Sequence, residues 1–252
     1  MNADSPFHLQ KPKEWRLLPL YVKIQYYKDN LNVSYVPYVD KIEAKRIVKE
    51  ALDDMIHVAP LVRVLSSPDD VSELDICGNH LLKASHGCGW NIDLAEAGLT
   101  VDSIRKSLHA WNKPYRATHE PHYSWVPPRF FIEEKICDKI HGLTAKAITY
   151  CIRCIHGTPF VIGVRDGDVQ NNYDCQWNPV KPLEIKGLEK PAALEKMLHV
   201  ARVLSKPFEF VRIDLYLGED NAIYFSEFTF TPSAGFKFYP LNYETKFGKL
   251  WT

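Results

Sequence analysis

Between residues 210 and 235 the chain reads FVRIDLYLGEDNAIYFSEFTFTPSAG, with apolar and polar positions alternating at a period of two. Val211, Ile213 and Leu215 interleave with Arg212, Asp214 and Tyr216. Beyond the turn-forming residues 218–221, Ile223, Phe225, Glu227, Thr229 and Thr231 fall on one face. This pattern predicts a β-hairpin whose pairing brings Asp214 and Glu227 together at the end away from the turn. Two carboxylates so held repel one another unless a proton or a cation lies between them. A metal site is one reading, and two solvated acids on a half-exposed sheet is the other.

Elsewhere the period changes. Residues 17–27 are apolar and aromatic and leave open a strand or a short helix. Asp40 can cap a helix whose third residue is Glu43 and whose apolar stripe is Ala44, Ile47, Val48, Ala51, Leu52 and Met55. Lys41 then sits in the first turn, where the helix dipole disfavours a cation. A second helix is expected at 100–111, with Val101, Ile104, Leu108 and Trp111 on one face. A third starts at Pro191, with Leu194, Met197, Leu198, Ala201 and Leu204 together. The run RFFIEEKI reads as a strand interrupted by Glu133 and Glu134, and 147–155 and 159–164 as further strands. Arg165 and Asp166 then open a polar loop, DGDVQNNYDCQWNP, long enough to carry function. Strands and helices alternate without a regular strand–helix period, so the fold class is α+β.

Composition narrows the partners. Of 252 residues 46% are hydrophobic, enough for one large domain or two joined lobes, and 31 basic residues balance 31 acidic ones. No net field argues for nucleic acid or an anionic membrane. The sequence has no apolar run of bilayer length and no apolar leader at its start, so a cytoplasmic protein without a membrane span is expected. The six cysteines are too few and too irregular for a disulfide framework. Cys151 and Cys154 form a C-x-x-C inside an expected strand, where residues three apart face opposite ways; buried free thiols fit better than a shared ion.

The run CGNHLLKASHGCGWN adds chemistry. An apolar strand delivers Lys83, and the chain turns through Gly87 and Gly89 with Ser85, His86 and Cys88 between. Glycines let backbone N–H groups converge on phosphate and the lysine adds a compact mobile charge. It is not the P-loop pattern, because the lysine precedes the glycines.

Taken in order, Asp40-Lys41, LLKASHGCGWN, YSWVPPRFFIEEKI and FVRIDLY…FSEFTFTP resemble the ATP-grasp superfamily, in particular its TupA-like branch, over most of the chain from about Val39 to Trp251. The resemblance implies two α+β lobes holding ATP between antiparallel sheets. The expected division is an N-terminal region at 1–68, a central lobe with the phosphate loop at 69–136 and a metal-binding lobe at 137–252. It implies that Lys41 and Lys83 contact the α- and β-phosphates and that Ser85, His86, Gly87, Cys88 and Gly89 close over the β- and γ-phosphates. The backbone at Glu134 and Ile136 would read adenine, and Glu133 or Glu134 would touch ribose. Asp214, Glu227 and Thr229 resemble the magnesium ligands, and Arg212 the arginine that steadies the transferred phosphoryl group.

Arg165, Tyr123, Trp125 and Trp177 are candidates for nucleotide or acceptor recognition. Thr229 stands where many relatives carry Asn. Thr149-Tyr150-Cys151 stands where the branch often shows Asp-Tyr-Lys, and the region before Asp40 is short. The implied activity is an ATP- and Mg2+-dependent carboxylate–amine ligase acting through an acyl phosphate, with a small-molecule or glycan carboxylate acceptor and an amine. A sugar or small-molecule kinase and a non-catalytic nucleotide-binding partner are the alternatives.

Overall fold

A computed structural model describes residues 5–115 and 120–252. Helix α1 (Leu20–Asp29), the single turn α2 (Val36–Val39) and α3 (Lys41–Leu52) lead to strands β1 (His57–Val58) and β2 (Leu61–Leu65). Then come β3 (His80–Ala84), β4 (Asn91–Asp93), α4 (Val101–Trp111) and β5 (Phe130–Glu134). The remainder comprises β6 (Thr149–Ile155), β7 (Thr158–Asp166), β8 (Val169–Tyr173), α5 (Leu194–Ser205), β9 (Phe210–Leu217), β10 (Ile223–Thr229) and α6 (Leu241–Gly248).

The strands form two sheets. One is six-stranded in the order β1-β10-β9-β6-β7-β8, and the other is four-stranded in the order β2-β5-β3-β4. All pairings are antiparallel except β1 with β10. The expected α+β class is what the chain adopts. Ile152, Ile213, Leu215, Phe225 and Phe228 of the larger sheet pack with Met197, Leu198 and Ala201 of α5 in the main core. Leu82, Ala84, Phe130 and Ile132 of the smaller sheet pack with Ile104 and Leu108 of α4 in a second core.

Several expectations hold for the physical reason given. Asp40 caps α3 by accepting from the N–H groups of Ile42 and Glu43, and the helix expected at 100–111 is α4, Val101–Trp111. All five stripe residues of α5 are buried, although the helix begins at Leu194, three residues after Pro191. Cys151 and Cys154 are free, buried thiols. Cys154 lies against the Ala201 carbonyl of α5, while Cys151 pairs across the sheet with Asp214.

Others need correction. The open segment at 17–27 is helical from Leu20. Helix α3 ends at Leu52, where Asp53 turns to φ 43°, so Met55 leaves the stripe and is exposed; Ala51, still within the helix, falls on its exposed side, while Lys45 is buried instead. The polar loop after Asp166 is in large part a hairpin strand. Gly167 takes φ 57°, and Gln170, Asn171 and Asn172 run back along β7 as β8. Asp-Gly is a recognised hairpin signal that the polar asparagines obscured.

The most consequential correction lies in the 210–235 hairpin. The register slips by one residue between Phe225 and Glu227, so Ser226 is the extra residue of a β-bulge. Phe225 and Phe228 both turn into the core, with ring centroids 4.9 Å apart, and Glu227 does not share the face of Phe225. The bulge re-aims Glu227 onto the face of Arg212 and Asp214.

His122, in the short helical turn beside Tyr123, is 2% exposed and its Nδ1 has no hydrogen-bond partner among the described residues. Burial, assisted by Lys28, lowers its pKa from 6.5 to about 4. The folded chain therefore holds His122 neutral, and its contribution to stability is present above pH 6.5 and lost as the pH falls toward 4. Replacing it by Phe is expected to remove that part of the acid dependence, on the order of 3 kcal/mol. Urea unfolding of both proteins at pH 7.5 and pH 4.5 checks this, and identical acid sensitivity would contradict it.

Candidate active site

The cleft is built from the N-terminus of α3, the β3–β4 turn, the end of β5 and the outer face of β9 and β10. Lys41 occupies the first position of α3, and its Nζ donates to the Gly87 carbonyl at 2.5 Å and lies 5.4 Å above the Tyr123 ring. That contact accounts for a cation at the disfavoured end of a helix. Burial depresses its pKa, with Lys83 adding to this and Glu227, Cys88 and Asp40 opposing it.

Lys83 lies on β3 with its Nζ 2.5 Å from Glu133 Oε1. Burial would lower its pKa, but Glu133, Tyr216 and Glu227 outweigh it and raise it. Tyr216 and Glu227 belong to the other sheet, so the lysine senses charge from across the cleft. The second oxygen of Glu133 is taken by Lys45, one helical turn beyond Lys41. Glu133 is 3% exposed and stays ionised, because the two ammonium groups overcome the upward push of burial. It is thus the buried counter-ion of two lysines, which leaves Glu134 as the freer of the two glutamates. Lys45 escaped the sequence reading because a lysine one position after the apolar Ala44 looks like the start of a solvated face.

The turn between β3 and β4 is anchored at its base. Ser85 donates its hydroxyl to Asp40, and the other Asp40 oxygen is bound by Arg129. His86 is fully buried, with its Nδ1 accepting from the Arg129 N–H and its Nε2 at 2.9 Å from the Trp111 carbonyl. Ser85 and His86 therefore secure the loop, and its exposed part is Cys88 and Gly89. A Cβ on Gly87 would meet the Trp90 ring at 2.7 Å and Tyr115 at 3.0 Å. Gly89 takes φ 72°, so the two glycines serve close approach and left-handed backbone respectively.

On the opposite wall, Asp214 and Glu227 are direct cross-strand partners, as are Arg212 and Thr229. Arg212 grips Asp214 with two hydrogen bonds of 2.6 Å, from Nε to Oδ1 and from Nη2 to Oδ2. Nη2 also donates to Thr229 Oγ1 at 3.0 Å and lies 3.6 Å from Glu227 Oε1. Burial opposes the charge on Arg212, but Asp214, Cys151 and Glu227 outweigh it and raise its pKa far beyond the usual value. Both acids thus converge on one cationic nitrogen.

The sequence reading missed a third carboxylate, Glu120, which accepts from Thr231 Oγ1 at 3.1 Å. Burial first, then the Glu227 charge, raise its pKa against the Thr231 hydrogen bond and the charges of Arg212 and Lys41. Its only sequence signal was an isolated acid in a proline-rich aromatic run.

The remaining candidates divide. Tyr123 lines the cleft beside Lys41, and Arg165 lies on β7 across from Thr149, on the face that carries Asp214. Trp177 instead stacks on the Tyr173 ring with centroids 4.2 Å apart, and Trp125 packs partly buried against the main core. Removing the charge of Glu133 tests the lysine pair: Glu133→Gln should lower stability by roughly 3–5 kcal/mol by leaving two enclosed ammonium groups unpaired. Urea denaturation measures this, and a loss under 1 kcal/mol would mean that the lysines find other partners.

The sequence matches the family model described as TupA-like ATPgrasp over residues 21–252. No curated protein sequence matches it at a significant level. Among solved structures, the chain is similar to N5-carboxyaminoimidazole ribonucleotide synthetase in complex with ADP, at 13% identity and a TM-score of 0.50, over 83% of this chain and 50% of that one. It is also similar to D-alanine–D-alanine ligase from Bacillus anthracis complexed with ATP, at 15% identity and a TM-score of 0.46, over 84% of this chain and 65% of that one. This chain therefore spans half the length of the first and 65% of the second. At these identities the structural likeness concerns the fold alone, and it is the fold of ATP-grasp ligases. The family match extends from α1 to the last residue, and the chain belongs to the TupA-like ATP-grasp family.

Proposed function

We propose that the protein is an ATP-dependent ligase joining a carboxylate to an amine, with residues 69–136 and 137–252 as the lobes that hold the nucleotide. The observation that carries this reading is the convergence of two lysines, an arginine and a cross-strand carboxylate pair on one cleft between two sheets. Lys41 and Lys83 would meet the α- and β-phosphates, and the backbone of Gly87, Cys88 and Gly89 would face the outer phosphates. At the end of β5 the Glu134 N–H is spent on the Pro60 carbonyl. The Glu134 carbonyl and the Ile136 N–H are the groups offered to an adenine edge, with the Glu134 side chain toward ribose.

The acid pair fits magnesium in kind. Mg2+ prefers oxygen ligands, takes one or two carboxylates from a protein and completes its shell with phosphate and water. Asp214 and Glu227, with the Thr229 hydroxyl, supply such a set. Among the described residues no group of three or more His, Cys, Asp or Glu could hold an ion without such help. When bound, the ion supplies charge neutralisation on the transferring phosphoryl group. Arg212, now locked on Asp214, would turn part of its fork toward that charge, and Lys41 and Lys83 would oppose it from the other wall.

The carboxylate acceptor would become an acyl phosphate with release of ADP, and attack by the amine would form the amide and free phosphate. No protein nucleophile is required, and the work falls on positioning and on excluding water from the activated carboxyl. Glu120, a third carboxylate facing the cleft, is suited to hold the ammonium form of the amine. The family likeness, rather than the geometry, directs the acceptor toward a cell-surface glycan carboxylate. No helix among the described residues is long and apolar enough to cross a membrane, and the reading places the reaction in the cytoplasm, where ATP is available.

Asp214→Asn and Glu227→Gln are expected to abolish turnover, by at least a hundredfold in ADP release, while ATP binds within about tenfold of normal because the lysines and the adenine edge remain. Normal magnesium-dependent turnover in either variant would refute the metal assignment. Lys83→Ala should weaken ATP binding tenfold or more in calorimetry, and unchanged affinity removes Lys83 from the site. Screening uronic acids with pooled amino acids by mass spectrometry, reading ADP, phosphate and condensed product, separates ligase from kinase: a kinase yields a phosphorylated acceptor and no free phosphate.

A further inference from the structure

Arg153, on β6, has no role in the chemistry above. It is 3% exposed, and its Nη1 is buried without a hydrogen-bond partner among the described residues. It makes no ion pair among the described residues. An enclosed guanidinium N–H left unmade is costly, and native structures rarely leave one without a reason.

The register shows where the charge points. Arg153 is the cross-strand partner of Arg212, and Cys151, two residues earlier on the same face, lies between Asp214 and Gly163. The Arg153 side chain leans along the sheet toward this row, because a Cβ built on Gly163 would stand 3.3 Å from Nη1. Glycine at 163 makes room first for the Gln170 amide, which a Cβ would meet at 2.4 Å, and only secondarily for the guanidinium. Above it, the rings of Phe238 and Tyr239 lie 5.2 and 5.4 Å from the guanidinium carbon. They shelter its flat faces by cation–π contact and leave its N–H edge unsatisfied. Arg165 stands on the same sheet face one row further on. The face next to the reacting centre therefore carries Arg212, Arg153 and Arg165, and among the described residues only Arg212 of these three forms an ion pair.

We propose that Arg153 anchors an anionic group of the acceptor, a carboxylate or phosphate oxygen separate from the carboxyl that reacts, so that the acceptor is at least dianionic. The inference rests on the ligase reading of the neighbouring site. Gly163 is two strands from Asp214, roughly 10 Å at ordinary strand spacing, which suits two anionic groups on one small molecule. Phe238 is the gate. It is partly buried, and it follows a turn in which Ser233, Ala234 and Gly235 all take positive φ, at 55°, 52° and 79°. Of the two rings over Arg153, Phe238 is the less enclosed, and an acceptor group would reach the Arg153 edge by displacing that ring.

The test is calorimetry on the full chain saturated with ADP and Mg2+, using glutarate, 4-phosphonobutyrate and butyrate as probes. The wild type is expected to bind at least one of the two dianions ten times more tightly than butyrate, and the tighter of the two identifies the oxyanion. Arg153→Met should erase that preference with ADP affinity within twofold of normal, and Arg153→Lys should restore part of it. Equal binding of all three probes by the wild type overturns the proposal. So does an intact preference in Arg153→Met, which would make the residue a packing element. If Arg153→Met does not fold, Arg153→Lys decides: a preference reduced at least threefold supports the anchor and an unchanged one overturns it. Failure of the wild type to bind ADP would refute the nucleotide reading instead, and the dianion preference is then read in the protein alone.

Discussion

The Arg212–Asp214 pair is the interaction on which the cleft depends. Asp214 is fully enclosed at the middle of β9, where a carboxylate without hydrogen-bond partners would carry the full cost of leaving water. Arg212 offsets that cost by presenting two parallel N–H groups to its two oxygens at 2.6 Å. A planar fork can do this and a lysine cannot, because the geometry is bidentate. The same guanidinium reaches Thr229 and Glu227, so one residue sets the charge balance for the whole outer face of the hairpin.

The opposite wall repeats the logic with the signs exchanged. There a single enclosed acid, Glu133, holds two lysines, and Asp40 holds Arg129 and Ser85 while also capping α3. Under the proposed reading, these cations exchange their protein partners for phosphate oxygens when a nucleotide arrives, and Lys41 is the most available, since it rests on a carbonyl and carries a depressed pKa caused by burial and by Lys83. A phosphate nearby would reverse that depression, which links nucleotide affinity to the protonation of this lysine.

Backbone irregularities do the aiming. The bulge at Ser226 separates Glu227 from the phase of Phe225, and without it the glutamate would enter the aromatic core that Phe225 and Phe228 share. Gly87 permits Trp90 and Tyr115 to press against the phosphate-loop candidate, and Gly163 makes room for the Gln170 amide beside Arg153. In each case a backbone feature decides where a side chain several residues or a strand away can go.

The sequence by itself determined the elements whose cause is local. Alternation gave β9 and β10, the Asp40 side chain marked the start of α3, apolar spacing marked α4, and the apolar stripe of α5 appeared in full. It also brought Asp214 and Glu227 near one another at the end of the hairpin, because pairing follows from the turn, although the bulge at Ser226 is what sets them directly opposite. Tertiary structure decided the phase of Glu227, since a bulge forms only when the core accepts Phe225 and Phe228 together. It decided that Glu133 is a counter-ion, because Lys45 and Lys83 reach it from a helix and a strand far apart along the chain. It also placed Glu120 and Arg153 beside the site, and neither carries a periodic signal. Charges find their partners through space, and only folding sets those distances.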